Sequence, residues 1–98
     1  MALVQVIDFT TSKIEEMAAL QKEQEATMSD TSTVRRVIRC EDRDRPGTFV
    51  VMAFFDSYES AMENSNRPET AAMAEKMAAL VDEPPHFYNL EVIEDTTF

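Results

Sequence analysis

Thr33-Val-Arg-Arg-Val-Ile-Arg-Cys40 and Thr48-Phe-Val-Val-Met-Ala-Phe-Phe55 flank the polar segment Glu41-Asp-Arg-Asp-Arg-Pro-Gly47. Both flanks are rich in β-branched and aromatic side chains, which suit a pleated surface. Arg45-Pro46-Gly47-Thr48 fits a type II turn, because proline presets φ at the first central position and glycine accepts the positive φ at the second. The segment therefore predicts an antiparallel hairpin. Apolar residues at both parities of Thr48 to Phe55 further predict a strand covered on both faces.

Working outward, Leu3-Val-Gln-Val-Ile-Asp-Phe9 has the same two-sided apolar character and reads as another central strand. Ser12 and Glu15 have capping-box spacing, so a helix is expected from Lys13 to near Met28, with Ile14, Met17, Ala18 and Leu20 on its apolar side. Asp56 and Ser57 open a second helix, with Glu59 as a capping partner of Asp56, and Asn64 to Arg67 interrupts it. Pro68 suits the first position of the next helix, whose stripe is Met73, Met77, Leu80 and Val81. Pro84 and Pro85 close that helix, and His86 to Ile93 reads as the last strand.

The order is strand, helix, strand, strand, broken helix, strand. It predicts one α+β domain over residues 1–98, a ferredoxin-like βαββαβ sandwich with a four-stranded antiparallel sheet and its helices on one face. Apolar residues of both parities would leave the sheet's other face oily, and a second copy of the chain is the simplest cover.

Composition narrows the function. Of 98 residues, nineteen are Asp or Glu and nine Lys or Arg, giving a formal charge of −10 that disfavours nucleic acid and anionic membranes. Arg35, Arg36, Arg39, Arg43 and Arg45 hold five of the nine basic groups, and nearby carboxylates are expected to balance them, with anion binding as the alternative. Gly47 is the only glycine, which excludes glycine-rich phosphate cradles. Cys40 is the only cysteine and His86 the only histidine, too few for a transition-metal site. The Asp42–Asp44 segment fails as a calcium loop, since Ala53 stands where a bidentate glutamate is required. No long apolar window or basic-then-apolar leader occurs, so a cytoplasmic protein is expected.

Phe54-Phe55-Asp-Ser-Tyr-Glu-Ser-Ala61, followed by Asn66-Arg67-Pro68-Glu69 and a further helix, resembles the antibiotic biosynthesis monooxygenase family of the dimeric α/β barrel superfamily. The resemblance implies a homodimer formed through two sheets, with a ligand pocket between each sheet and its own helices. It implies a small aromatic or polyketide-like ligand and an oxidoreductase of the cofactor-independent monooxygenase type, while some relatives degrade haem instead. The haem-degrading pattern places a histidine where this chain has Met73 and a tryptophan nearby, and this chain has no tryptophan. No cofactor is therefore expected.

Within that reading, Arg36 and His86 are the catalytic candidates. Arg36 shares strand parity with Val34, Ile38 and Cys40, so a cation among apolar neighbours would need Asp8, Glu91 or a partner subunit as counter-charge, or would stabilise an oxyanion. His86 could accept a proton, since imidazole titrates near neutrality. Tyr58, Tyr88 and Asn66 could orient a substrate by hydrogen bonds, with amphipathic packing and helix-break geometry as the competing explanations. The methionines could line an adaptable pocket or fill the core. A non-catalytic ligand-binding or stress-response dimer stays open as the alternative, and a regulatory module of ACT type shares the same element order.

Overall fold

The computed structural model describes residues 2–27 and 33–98. Its elements are β1 (Leu3–Thr10), α1 (Ile14–Thr27), β2 (Arg36–Glu41), β3 (Thr48–Phe55), α2 (Tyr58–Ser65), α3 (Pro68–Ala78) and β4 (His86–Glu91). The strands form one antiparallel sheet in the order β2-β3-β1-β4. This is the ferredoxin-like α+β arrangement, with the two most apolar strands at its centre.

Register assigns every side chain to a face. Leu3 opposes Phe55, Gln5 opposes Ala53, Ile7 opposes Val51 and Phe9 opposes Phe49. This odd-numbered set faces the helices: Leu3 and Phe55 are buried with Ala61 of α2, and Val34 and Ala53 pack against them. Met17 and Leu20 of α1 and Met73 of α3 are buried too, so three of the predicted stripe residues fill the core. Ile14 and Ala18 are exposed; the inner side of α1 runs through positions 17, 20, 21 and 24, and half of it is glutamine.

The hairpin forms as its sequence dictates. Thr48 N–H donates to Arg45 O at 3.0 Å, and Gly47 has φ +85°, the left-handed conformation that a Cβ would strain. Asp42 organises the connection: its carboxylate accepts from the amide of Asp44 at 2.9 Å and from Arg45 Nε at 2.8 Å. The Arg45 guanidinium, and after it the Asp44 amide, hold the Asp42 carboxyl below its ordinary pKa. A lowered folded-state pKa adds stability above the unfolded carboxyl's value of about 3.9, and that contribution is lost as pH falls through the lower folded value. An NMR titration of the Asp42 carboxyl should therefore show a midpoint below that of an ordinary aspartate, moving up in Arg45→Ala. A midpoint unaffected by Arg45→Ala would rule out the contact in solution.

Several local expectations are corrected. Ser12 does not cap α1; its hydroxyl donates to Asp82 Oδ1 at 3.2 Å, while buried Thr11 accepts from Lys13 N–H and donates to Leu80 O. Thr11 thereby joins the end of β1 to the end of α3, a tertiary demand that overrides the local box. Helix α2 is capped by Ser57, which accepts from Ser60 N–H, because Asp56 is engaged by Arg35 Nε at 2.9 Å. Strand β2 begins at Arg36 rather than Thr33, whose hydroxyl donates to Ser60 O. Strand β4 ends at Glu91 rather than Ile93, and Val81 lies beyond α3. Met28, the expected end of α1, falls outside the described residues.

Candidate functional site

The five residues singled out from sequence occupy three separate places. Arg36, His86 and Tyr88 have the opposite parity to the core and lie on the sheet face away from the helices. Arg36 belongs to the cross-strand row Arg36–Phe54–Val4–Leu90, and His86 to the row Cys40–Val50–Asp8–His86 on the opposite edge. Three strand spacings and four residues along the strands separate them by roughly 20 Å, so one chain does not bring them together. Tyr58 begins α2 and is half-exposed, whereas Asn66 is the C-cap at that helix's far end.

Of the counter-charges expected for Arg36, the two within the chain, Asp8 and Glu91, do not pair with it, which leaves a partner subunit. Arg36 is exposed, and its guanidinium lies 5.7 Å from the centroid of the Phe54 ring, without a carboxylate partner among the described residues. Val34 turns into the core instead of continuing the strand, so the row of apolar neighbours assumed for Arg36 is shorter than it looked. Three of the five clustered arginines do pair with carboxylates: Arg35 with Asp56, Arg39 with Glu25 and Arg45 with Asp42.

A cleft opens on the helix side of the sheet, between α1 and strands β1, β2 and β3. Its volume is about 220 Å³, and Phe9, Phe49, Val51, Ile14, Gln21 and Arg39 contribute to its walls together with Cys40 and Glu41. Sequence explains why it is there. Gln21 occupies the inner side of α1 where a large apolar residue would otherwise close the helix onto the sheet. On the floor, buried Phe9 (3% exposed) and half-buried Phe49 are register partners whose rings stack with centroids 5.8 Å apart and planes at 27°, so Phe49, backed by Phe9, is the aromatic surface that the cleft offers to another ring.

Arg39 supplies the charge. It opposes Val51 in register, which puts it on the helix side, and its Nη1 donates to Glu25 Oε1 of α1 at 2.7 Å. Glu41, two residues along the same face, opposes Phe49 and also lines the cleft. The sequence reading names Arg39 only as one of five clustered arginines, and Glu41 not as a site residue. Their shared signal is alternation: once Val37 is assigned inward opposite Ala53, residues 39 and 41 must follow.

A second polar cluster lies on the same side of the sheet towards β4, where Gln5 Nε2 donates to Asn89 Oδ1 at 3.2 Å and to Ser65 Oγ at 3.4 Å. Among the described residues no methionine lines the cleft; Met17 and Met73 are buried in the core. Among the described residues, no group of three or more His, Cys, Asp or Glu is arranged to hold a metal ion. Nor is any helix there long and apolar enough to cross a membrane.

Comparison with known proteins places this geometry in context. No family model matches the chain, and no curated protein matches it by sequence. Solved structures do match. SnoaB, a cofactor-independent oxygenase from Streptomyces nogalater, superposes with a TM-score of 0.81 at 15% identity over 96% of this chain and 95% of that one. The chain has the fold of the antibiotic biosynthesis monooxygenase-like proteins. A Caulobacter crescentus protein provisionally assigned as an antibiotic biosynthesis monooxygenase gives a TM-score of 0.81 at 12% identity, covering 95% of this chain and 91% of that one. Rv0793 from Mycobacterium tuberculosis gives 0.81 at 14% identity, covering 99% and 100%. Identities this low carry the shared fold and no individual residue.

Proposed function

We propose that this chain forms a homodimer that binds a flat aromatic compound in the α1 cleft and acts on it as a cofactor-independent monooxygenase. The observation that carries the proposal is the half-buried Phe49 ring, backed by Phe9, with Arg39 beside it in the wall of the cleft, set in a fold shared with SnoaB, itself a cofactor-independent oxygenase. A cavity of about 150 Å³ suffices for benzene, so a cleft of about 220 Å³ suits one or two fused rings, with larger compounds projecting past exposed Ile14. Such a substrate can be its own reductant. A ring methylene activated by a neighbouring phenolate combines with O₂ to give a ring carbonyl and water, one oxygen atom going to each product. The protein's part is to hold the ring, favour the ionised oxygen and limit water around it.

Dioxygen uptake measured against a panel of hydroquinones and hydroxylated anthrones tests the reading, with the expected result one O₂ consumed per carbonyl formed from an anthrone. Tight binding of the same compounds with no uptake would replace it with the second reading, a non-catalytic ligand-binding dimer. That alternative has one structural observation in its favour: Arg36, His86, Tyr58, Tyr88 and Asn66, the residues nominated for catalysis and substrate binding, all lie outside the cleft.

A further inference from the structure

We infer that Arg39 is the residue through which the α1 cleft selects its ligand, and that Glu25 is a built-in stand-in for the ligand's anionic oxygen, so that the cleft takes flat aromatics carrying one acidic hydroxyl or carboxylate. The inference rests on the cleft being the ligand site proposed above, and it names the chemical class that the site accepts.

The argument begins with the arginine's position. Among the inward-facing residues of β2, Val37 opposes Ala53, and Arg39 follows it over Val51, so the guanidinium emerges beside apolar side chains. Its side chain retains about a third of its full exposure (32%), and among the described residues its one ion-pair partner is Glu25. A guanidinium offers five N–H donors in a planar fork, and the 2.7 Å bond from Nη1 to Glu25 Oε1 accounts for one of them. The others can donate to an oxygen on a ring lying against Phe49.

Glu25 fits the role of a replaceable partner. It sits near the end of α1, its side chain is 53% exposed, and an exposed ion pair of this kind is worth little. A carboxylate or phenolate presented on a ring that already covers the aromatic floor has the advantage of being held in place, so it can share or take the guanidinium from Glu25 at small cost. Glu41 sets the upper limit on charge. Its side chain points to the same face two residues from Arg39 and opposes Phe49, so a second anionic group over the floor would meet a carboxylate that has no cation partner among the described residues. One anionic oxygen is matched; two are not.

Three naphthalene probes of the same ring size test this: 2-naphthoate, the neutral 2-naphthalenemethanol, and a naphthalene dicarboxylate, titrated calorimetrically at low salt. Wild-type protein should prefer naphthoate over the alcohol by about tenfold or more, the size expected for one charge-assisted hydrogen bond, and should bind the dicarboxylate more weakly than naphthoate. Arg39→Met keeps the apolar stem of the side chain and should remove the preference by weakening naphthoate far more than the alcohol. Glu25→Gln should tighten naphthoate by roughly two- to fivefold, the equivalent of one exposed ion pair, and leave the alcohol unaffected. Equal affinities in wild type, a preference that survives Arg39→Met, or naphthoate weakened by Glu25→Gln would each overturn the inference. The oxygenase reading falls separately: Arg39-dependent naphthoate binding without O₂ uptake on the anthrones or hydroquinones removes the reaction and keeps the selector. Uptake indifferent to Arg39→Met does the reverse.

Discussion

Replacing Phe55 with alanine should cost about 3–5 kcal/mol of folding stability, the range for truncating a buried aromatic side chain. Phe55 is 2% exposed, opposes Leu3 in register and packs with it against Ala61. Leu3 comes from β1, Phe55 from β3 and Ala61 from α2, so the cavity would open where two central strands meet the helix layer. A domain of this size holds about 5–15 kcal/mol in total, and each kcal/mol moves its melting temperature by roughly 4–8 °C. Phe87→Ala is the matched control. It removes the same atoms from the same face of the sheet, but from edge strand β4, where Phe87 is 66% exposed. Urea melts should give a large loss for Phe55→Ala and a small one for Phe87→Ala; similar losses would contradict the burial that defines this core.

The two phenylalanines also illustrate what sequence makes legible. Strand β3 was read to the residue because Pro46 and Gly47 fix where the turn ends, and element order then gave the ferredoxin-like arrangement. Face assignment was harder. Strands β1 and β3 carry apolar residues at both parities, so neither one alone reveals which side meets the helices; the pairing of Leu3 with Phe55 does. Arg36 shares strand parity with Val34, but β2 begins only at Arg36, and Val34 packs partly buried against the core cluster. Nothing local distinguishes Arg39 within the arginine cluster or points to Glu25 across the layer on α1, since an ion pair between a strand and a helix fourteen residues apart depends on packing. The capping errors at Ser12 and Asp56 have the same origin: Asp82 and Arg35 are distant in sequence and claim those side chains.

The largest change in assembly should follow from Met52→Lys, which is expected to convert a dimer to a folded monomer. Met52 lies on the sheet face turned away from the helices, in the row Ile38–Met52–Val6–Tyr88 that crosses all four strands without a charged residue. Leu90 and Tyr88 on the same face are 50% and 48% exposed in the single chain, so the row continues onto an apolar edge. If two copies pack through this face, each dimer of the variant would bury two ammonium groups with no counter-charge in the row. At about 3–5 kcal/mol for a buried, unpaired charge, association should weaken by roughly three orders of magnitude or more. In the monomer the lysine reaches water from a half-exposed position, so helix content and the thermal transition should persist. Light scattering at micromolar concentration should give about twice the chain mass for the wild type and the single-chain mass for Met52→Lys. A wild-type monomer would remove the homodimer from the proposed function, and a variant that stayed dimeric would move the interface to another surface.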